Sequence, residues 1–120
     1  MAEHNDLGKL GEDLAVSFLE ENGYEVLERN FHFQKSEIDI IAKHQDKLVV
    51  VEVKTRSSVA FGLPQDFIKP SKIKLLVKGI NHYIEMNNLD LEVRFDIIAI
   101  HKNDQNHFEI EHITDAFYHF

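Results

Sequence analysis

At 120 residues the chain is long enough for one core and too short for two comfortable ones. With 43% hydrophobic and 28% charged residues its composition is that of a folded protein and not a disordered one. It has no cysteine, which excludes disulfides and thiolate metal centres, and its net charge of −8 argues against a uniformly basic surface for a polyanion.

The polar start MAEHNDLGKLGED lacks the apolar core of a signal peptide. No run approaches the roughly 18–20 apolar residues of a membrane span. The expectation is a cytoplasmic protein without membrane association.

Residues 6–22 predict an amphipathic helix, because Leu7, Leu10, Leu14 and Phe18 recur at spacings of three and four. Asp6 suits its N-cap and Asn22-Gly23 its stop. Glu12 sits off the centre of that apolar stripe. The runs YEVLERNFHF (24–33), SEIDIIAKH (36–44) and KLVVVEVKT (47–55) predict strands, the last two joined by a short Gln45-Asp46 turn. Residues 56–70 hold both prolines and predict a loop. A second helix is predicted from Ser71, as its cap, to Asn87, with Ile73, Leu76, Val77, Ile80, Tyr83 and Ile84 on one stripe. Residues 91–102 and 107–113 predict two more strands. The order α-β-β-β-α-β-β implies a single α/β domain over residues 1–120, with a mixed central sheet between helices.

Charge is unevenly distributed. Residues 1–30 and 81–120 each carry a net −6, whereas residues 31–80 carry a net +4. The positive charge therefore lies beside an unusual group of acids in apolar strands. Side chains two apart in a strand share a face, so Glu37, Asp39 and Ile41 are expected on one face and Ile38 with Ile40 on the other. In the next strand Leu48, Val50, Glu52 and Lys54 share a face. Pairing through the Gln45-Asp46 turn would let Asp39 and Glu52 converge. Two carboxylates from adjacent strands, a third from a helix and a lysine suit a hard cation such as Mg²⁺ (or Mn²⁺). Such a group can activate a water against a phosphodiester. The plainer alternative is a surface Glu-x-Lys ion pair, but the valines around Glu52 imply burial, which is costly for paired acids without a cation.

These residues resemble the YraN-like (UPF0102) proteins, a family of predicted endonucleases related to archaeal Holliday junction resolvases in the PD-(D/E)xK, restriction-endonuclease-like superfamily. The resemblance runs through LGKLGEDLAVSFLEENGYEVLERNF, EIDIIA, VVVEVKTRSS with FGLP, RFDIIAI and HITDAF. It implies that Asp39, Glu52 and Glu12 bind the metal, that Lys54 is the catalytic lysine, and that Glu37 orients a ligand or binds a second ion. The family usually has Gly before Glu-Ile-Asp, where this chain has Ser36; a φ > 0 there would strain serine. The implied partner is DNA, branched or otherwise structured.

Arg56, Lys69, Lys72, Lys74 and Lys78 follow the motif as phosphate contacts, or as an ordinary polar helix face in the case of the last three. The histidines near the end, His101, His107, His112 and His119, match no compact ligand spacing. Arg94 and Asp96 share a strand face and can pair with each other. Phe31, Phe33 and Phe61 suit base stacking or, more simply, the core. The expected activity is metal-dependent DNA hydrolysis. Its rival is a DNA- or protein-binding module that keeps the fold without turnover; a homodimer would double the basic face in either case.

Overall fold

The computed structural model describes residues 3–56, 68–103 and 105–117, with side chains from Leu7 onward. Most of the segment read as a loop (57–67, with Phe61) and His119 lie outside the described residues. The elements are α1 (Glu3–Glu21), β1 (Glu25–Phe33), β2 (Ser36–His44), β3 (Lys47–Arg56), α2 (Pro70–Asn87), β4 (Glu92–Lys102) and β5 (Phe108–Ile113). This is the α-β-β-β-α-β-β order expected. The strands form one mixed sheet in the order β1-β2-β3-β4-β5; β3 and β4 are parallel and the other pairs antiparallel.

Local chemistry accounts for most boundaries. α1 begins at Glu3, so Asp6 lies inside the helix and is not its cap. It stops where Gly23 adopts φ +86 and the Tyr24 N–H reaches back to the Leu19 carbonyl at 2.9 Å. Pro70 opens α2 with Lys69 as the N-cap, which places Ser71 in the first turn instead of at the cap. Proline suits that position because its fixed φ is helical and its missing N–H would have no partner there. Asn88, at φ 52, closes the helix in the left-handed conformation.

Both faces of the sheet are covered, which explains the near-continuous apolar run of β3. On one face Ala15 and Leu19 of α1 pack with Ile40, Ala42, Val49, Val51, Ile98 and Ile100. On the other, Leu76, Ile80 and Tyr83 of α2 pack with Ile38, Ile41, Leu48, Val50 and Phe95.

This division corrects the expected alternation in β2. Ile38 shares a face with Ile41, not with Ile40. β1 changes face at the same level: Arg29 reaches α1, whereas Phe31 packs on the α2 side. The register pairs Arg29 with Ile40 and Phe31 with Ile38, so the change falls at Asn30 and, opposite it, Asp39. Asn30 has φ 53, a left-handed conformation that asparagine tolerates better than most residues. The two strands thus make a half-turn together, which no regular pleat provides.

Ser36 is unstrained. It is absent from the left-handed residues, and the β1–β2 turn places its positive φ on Gln34 instead. The buried Ser36 hydroxyl donates to the Leu75 carbonyl at 2.6 Å. Gly79 makes room for it, since a Cβ there would stand 2.2 Å from Ser36 Oγ.

A polar knot is centred on Asp96 of β4, the register partner of Val51. Asp96 is fully buried and accepts two bonds from Arg94 (2.9 and 2.8 Å) and the Asp115 N–H (3.0 Å), with His112 Nε2 at 2.8 Å. Arg94 also donates to the Tyr24 hydroxyl, and the Tyr24 ring stacks on His44 with centroids 4.0 Å apart. The same-face pairing of Arg94 with Asp96 is therefore real, and it fastens the segment after β5 to β4.

Candidate active site at the fork between two strands

The β2–β3 ladder runs from His44↔Lys47 to Ile40↔Val51 and then stops. Beyond it β2 stays paired with β1, and β3 with β4. Asp39 stands at this fork. The half-turn at its own position aims its carboxylate sideways at β3, where it accepts the Val53 N–H at 2.8 Å. A side chain thus takes over a bond that the ladder has ceased to make.

Glu52 is the next residue of β3 past the fork and is 2% exposed. Lys72, from the first turn of α2, approaches its Oε2 at 3.2 Å. Its Oε1 is buried and has no hydrogen-bond partner among the described residues. Burial, and then repulsion from Asp39, push the Glu52 carboxyl up to about 7, against the pull of Lys72 and Lys54. Asp39 is also raised, chiefly by burial; the Val53 N–H, Lys72 and Lys54 oppose this, and Glu12 adds to it. The two acids and two ammonium groups therefore act on one another.

Glu12 is delivered by a close approach of α1. A Cβ on Gly11 would lie 2.0 Å from Thr55 Oγ1, so only glycine lets the helix come this near to β3. Glu12 Oε1 accepts from Arg29 Nη2 (3.0 Å), Arg29 Nε (3.2 Å) and Asn30 Nδ2 (2.9 Å). Arg29 also bonds Asp13 at 2.6 Å.

The remaining candidates separate. Glu37 is exposed and sits opposite His32 near the β1–β2 turn, away from the buried pair. Arg56 Nη1 donates to the Thr55 carbonyl at 3.0 Å, and Lys69 is exposed at the start of α2. Lys72, read from sequence as a phosphate contact or a polar helix face, pairs with Glu52 in this structure. The residues that sequence reasoning missed are Arg29 and Asn30. Their signal was an asparagine inside an otherwise strand-like run, where a left-handed kink was a natural reading.

Among the described residues no three His, Asp or Glu side chains stand together as a ligand set. The Asp39–Glu52 pair nevertheless fits a hard divalent ion. It offers two carboxylates, one with an orphaned buried oxygen, and Mg²⁺ needs no more than one or two from the protein.

The fold and this fork define an α/β protein with a buried carboxylate pair and two attendant lysines at the splayed end of its sheet. The chain belongs to the uncharacterised protein family UPF0102, whose model matches residues 11–100. It is 65% identical to a UPF0102 protein of Flavobacterium psychrophilum, over 100% of both chains. A UPF0102 protein of Phocaeicola vulgatus is 43% identical over 98% of this chain and 97% of its own. No helix among the described residues is long and apolar enough to cross a membrane.

Proposed function

We propose that this protein is a metal-dependent nuclease of the PD-(D/E)xK kind that hydrolyses DNA phosphodiester bonds, with branched or structured DNA as its substrate. The observation that carries the reading is the buried Oε1 of Glu52 beside Asp39, unpartnered among the described residues. A fold gains nothing from placing two carboxylates together in apolar surroundings unless a cation joins them.

In this reading Asp39 and Glu52 hold Mg²⁺ or Mn²⁺, which when bound activates a water and offsets charge on the leaving oxygen. The Val53 N–H fixes the orientation of Asp39 by holding one of its oxygens, which leaves the other available to an ion. Lys54, which acts on both acids, stabilises the phosphate as charge builds. Lys72 pairs with Glu52 in the metal-free protein and would be free to reach a phosphate oxygen where a cation takes over that charge. Glu12 stands at the rim, where the Arg29–Asn30 clamp holds it.

One observation favours the rival, a binding module without turnover: the Lys72–Glu52 pair already balances one buried charge without any ion. Cleavage of a labelled panel (duplex, single strand, flap, four-way junction) with Mg²⁺ or Mn²⁺ separates the two. The expected result is cleavage by the wild type that Asp39→Asn and Lys54→Ala both abolish. Binding without cleavage, unchanged in both variants, would establish the module.

A further inference from the structure

We infer that Asn30 is a positioning residue that sets the direction of two carboxylates at once: Asp39 through its backbone and Glu12 through its side chain. The inference rests on the nuclease reading for its purpose, though not for its geometry.

Asn30 is an interior residue of β1 at φ 53. The pairs on either side of it, Arg29↔Ile40 and Phe31↔Ile38, place it across from Asp39. Both strands change face at this level, and Asp39 consequently faces the fork instead of the α1 or α2 layer. Without the left-handed residue β1 would keep its pleat, and β2, bonded to it, would follow. The same residue extends Nδ2 to Glu12 Oε1 at 2.9 Å, beside the two bonds from Arg29. Glu12, Arg29 and Asn30 line one cleft of about 510 Å³ with Gly8 and Lys9.

Few side chains meet both demands. Glycine would take the backbone conformation easily but leave Glu12 to Arg29 alone. Aspartate tolerates it too, yet would set a second carboxylate against Glu12. Alanine satisfies neither. Asparagine supplies the conformation and a donor together.

The test compares Asn30→Ala and Asn30→Gly in the metal-free protein, reading exchange of the Val53 amide by NMR against amides of the α2-side core. Forcing alanine into the left-handed region should speed Val53 exchange about tenfold beyond any global change. Asn30→Gly should return it to the wild-type rate. That order is the reverse of what lost packing would give, since glycine is the smaller residue. In Asn30→Gly, although its Val53 amide is intact, the Arg29 side-chain N–H resonances should shift because Glu12 has lost a donor, and calorimetry reads Mn²⁺ binding by the wild type separately. An unchanged Val53 rate in Asn30→Ala, or a glycine variant as fast as the alanine one, would overturn the proposal. Failure of the wild type to bind Mn²⁺ would instead overturn the nuclease reading, and the Val53 comparison would still decide this one.

Discussion

Where the β2–β3 ladder stops, the Asp39 carboxylate accepts a hydrogen bond from the Val53 N–H, with N and O 2.8 Å apart. The acid is thus both a charge beside Glu52 and a structural acceptor, and the two roles separate by substitution. Asp39→Asn keeps an acceptor oxygen and removes the charge, so it should fold and be more stable than wild type at pH 8. Asp39→Ala strands the amide and should cost about 1–3 kcal/mol in urea unfolding. Equal losses in both variants would mean that the charge is not under strain.

Glu52 gives the metal-free protein a pH dependence of defined sign. Its carboxyl lies at about 7 in the folded chain against 4.5 as a free side chain, so the folded state holds the proton more tightly. Stability from this group is complete below the lower value and is lost as pH rises through the upper one. The gap corresponds to about 3 kcal/mol. Glu52→Gln should abolish this slope between pH 5 and 8, as seen in urea midpoints, and be the more stable protein at the alkaline end. A slope that persists in the variant would place its origin elsewhere.

A divalent ion should reverse that cost. At a concentration about a hundredfold above its dissociation constant, Mg²⁺ or Mn²⁺ should stabilise the fold by about 2.7 kcal/mol. The gain should be larger at pH 8 than at pH 6, because the proton on Glu52 competes with the ion. Thermal unfolding with and without the ion reads both effects, and Asp39→Asn should show neither. A shift of equal size in that variant would exclude Asp39 as a ligand.

Asp96, on the neighbouring strand β4, predicts the opposite pH behaviour. Burial alone would raise its carboxyl, but the bonds with His112, Arg94 and the Asp115 N–H outweigh burial and hold it below its ordinary range. Its contribution is therefore present at neutral pH and lost as pH falls through the folded value. Asp96→Ala leaves the half-buried Arg94 with Tyr24 but without its carboxylate and should cost roughly 3 kcal/mol. The knot adjoins the fork, since Asp96 pairs with Val51, but its bonds go to Arg94, His112 and Asp115 and not to Asp39 or Glu52, so the metal response should survive in whatever fraction remains folded. Its loss in folded protein would show that knot and fork are coupled.

The sequence carried the architecture because its signals are local. Leucine spacing marks α1, alternating turn residues mark the hairpins, and the valine run of β3 foretells burial on both faces. It also named Asp39 and Glu52 as neighbours, since a two-residue turn fixes their register. What it hid depends on departures from regularity or on long-range packing. The face of Asp39 could not be read by counting in twos, because the half-turn at Asn30 breaks the count. Lys72 looked like one lysine among several on a helix; only the seating of α2 against β3 singles it out. The arrival of Glu12 depends on Gly11 meeting Thr55, a contact between residues 44 positions apart that no local pattern announces.

The splayed end of the sheet carries a hazard as well as a site. Past Val51, β3 has a strand neighbour only on its β4 side among the described residues. A β edge that loses its neighbour on one side invites a strand from another molecule to zip onto it, and here Val53 to Arg56 are half-buried. Glu52, Lys54 and Arg56 are spaced along that edge, and Asp39 already occupies the Val53 amide. Asp39, Lys54 and Arg56 therefore also guard the edge against strand addition, and substitutions that neutralise several of them at once should lower solubility.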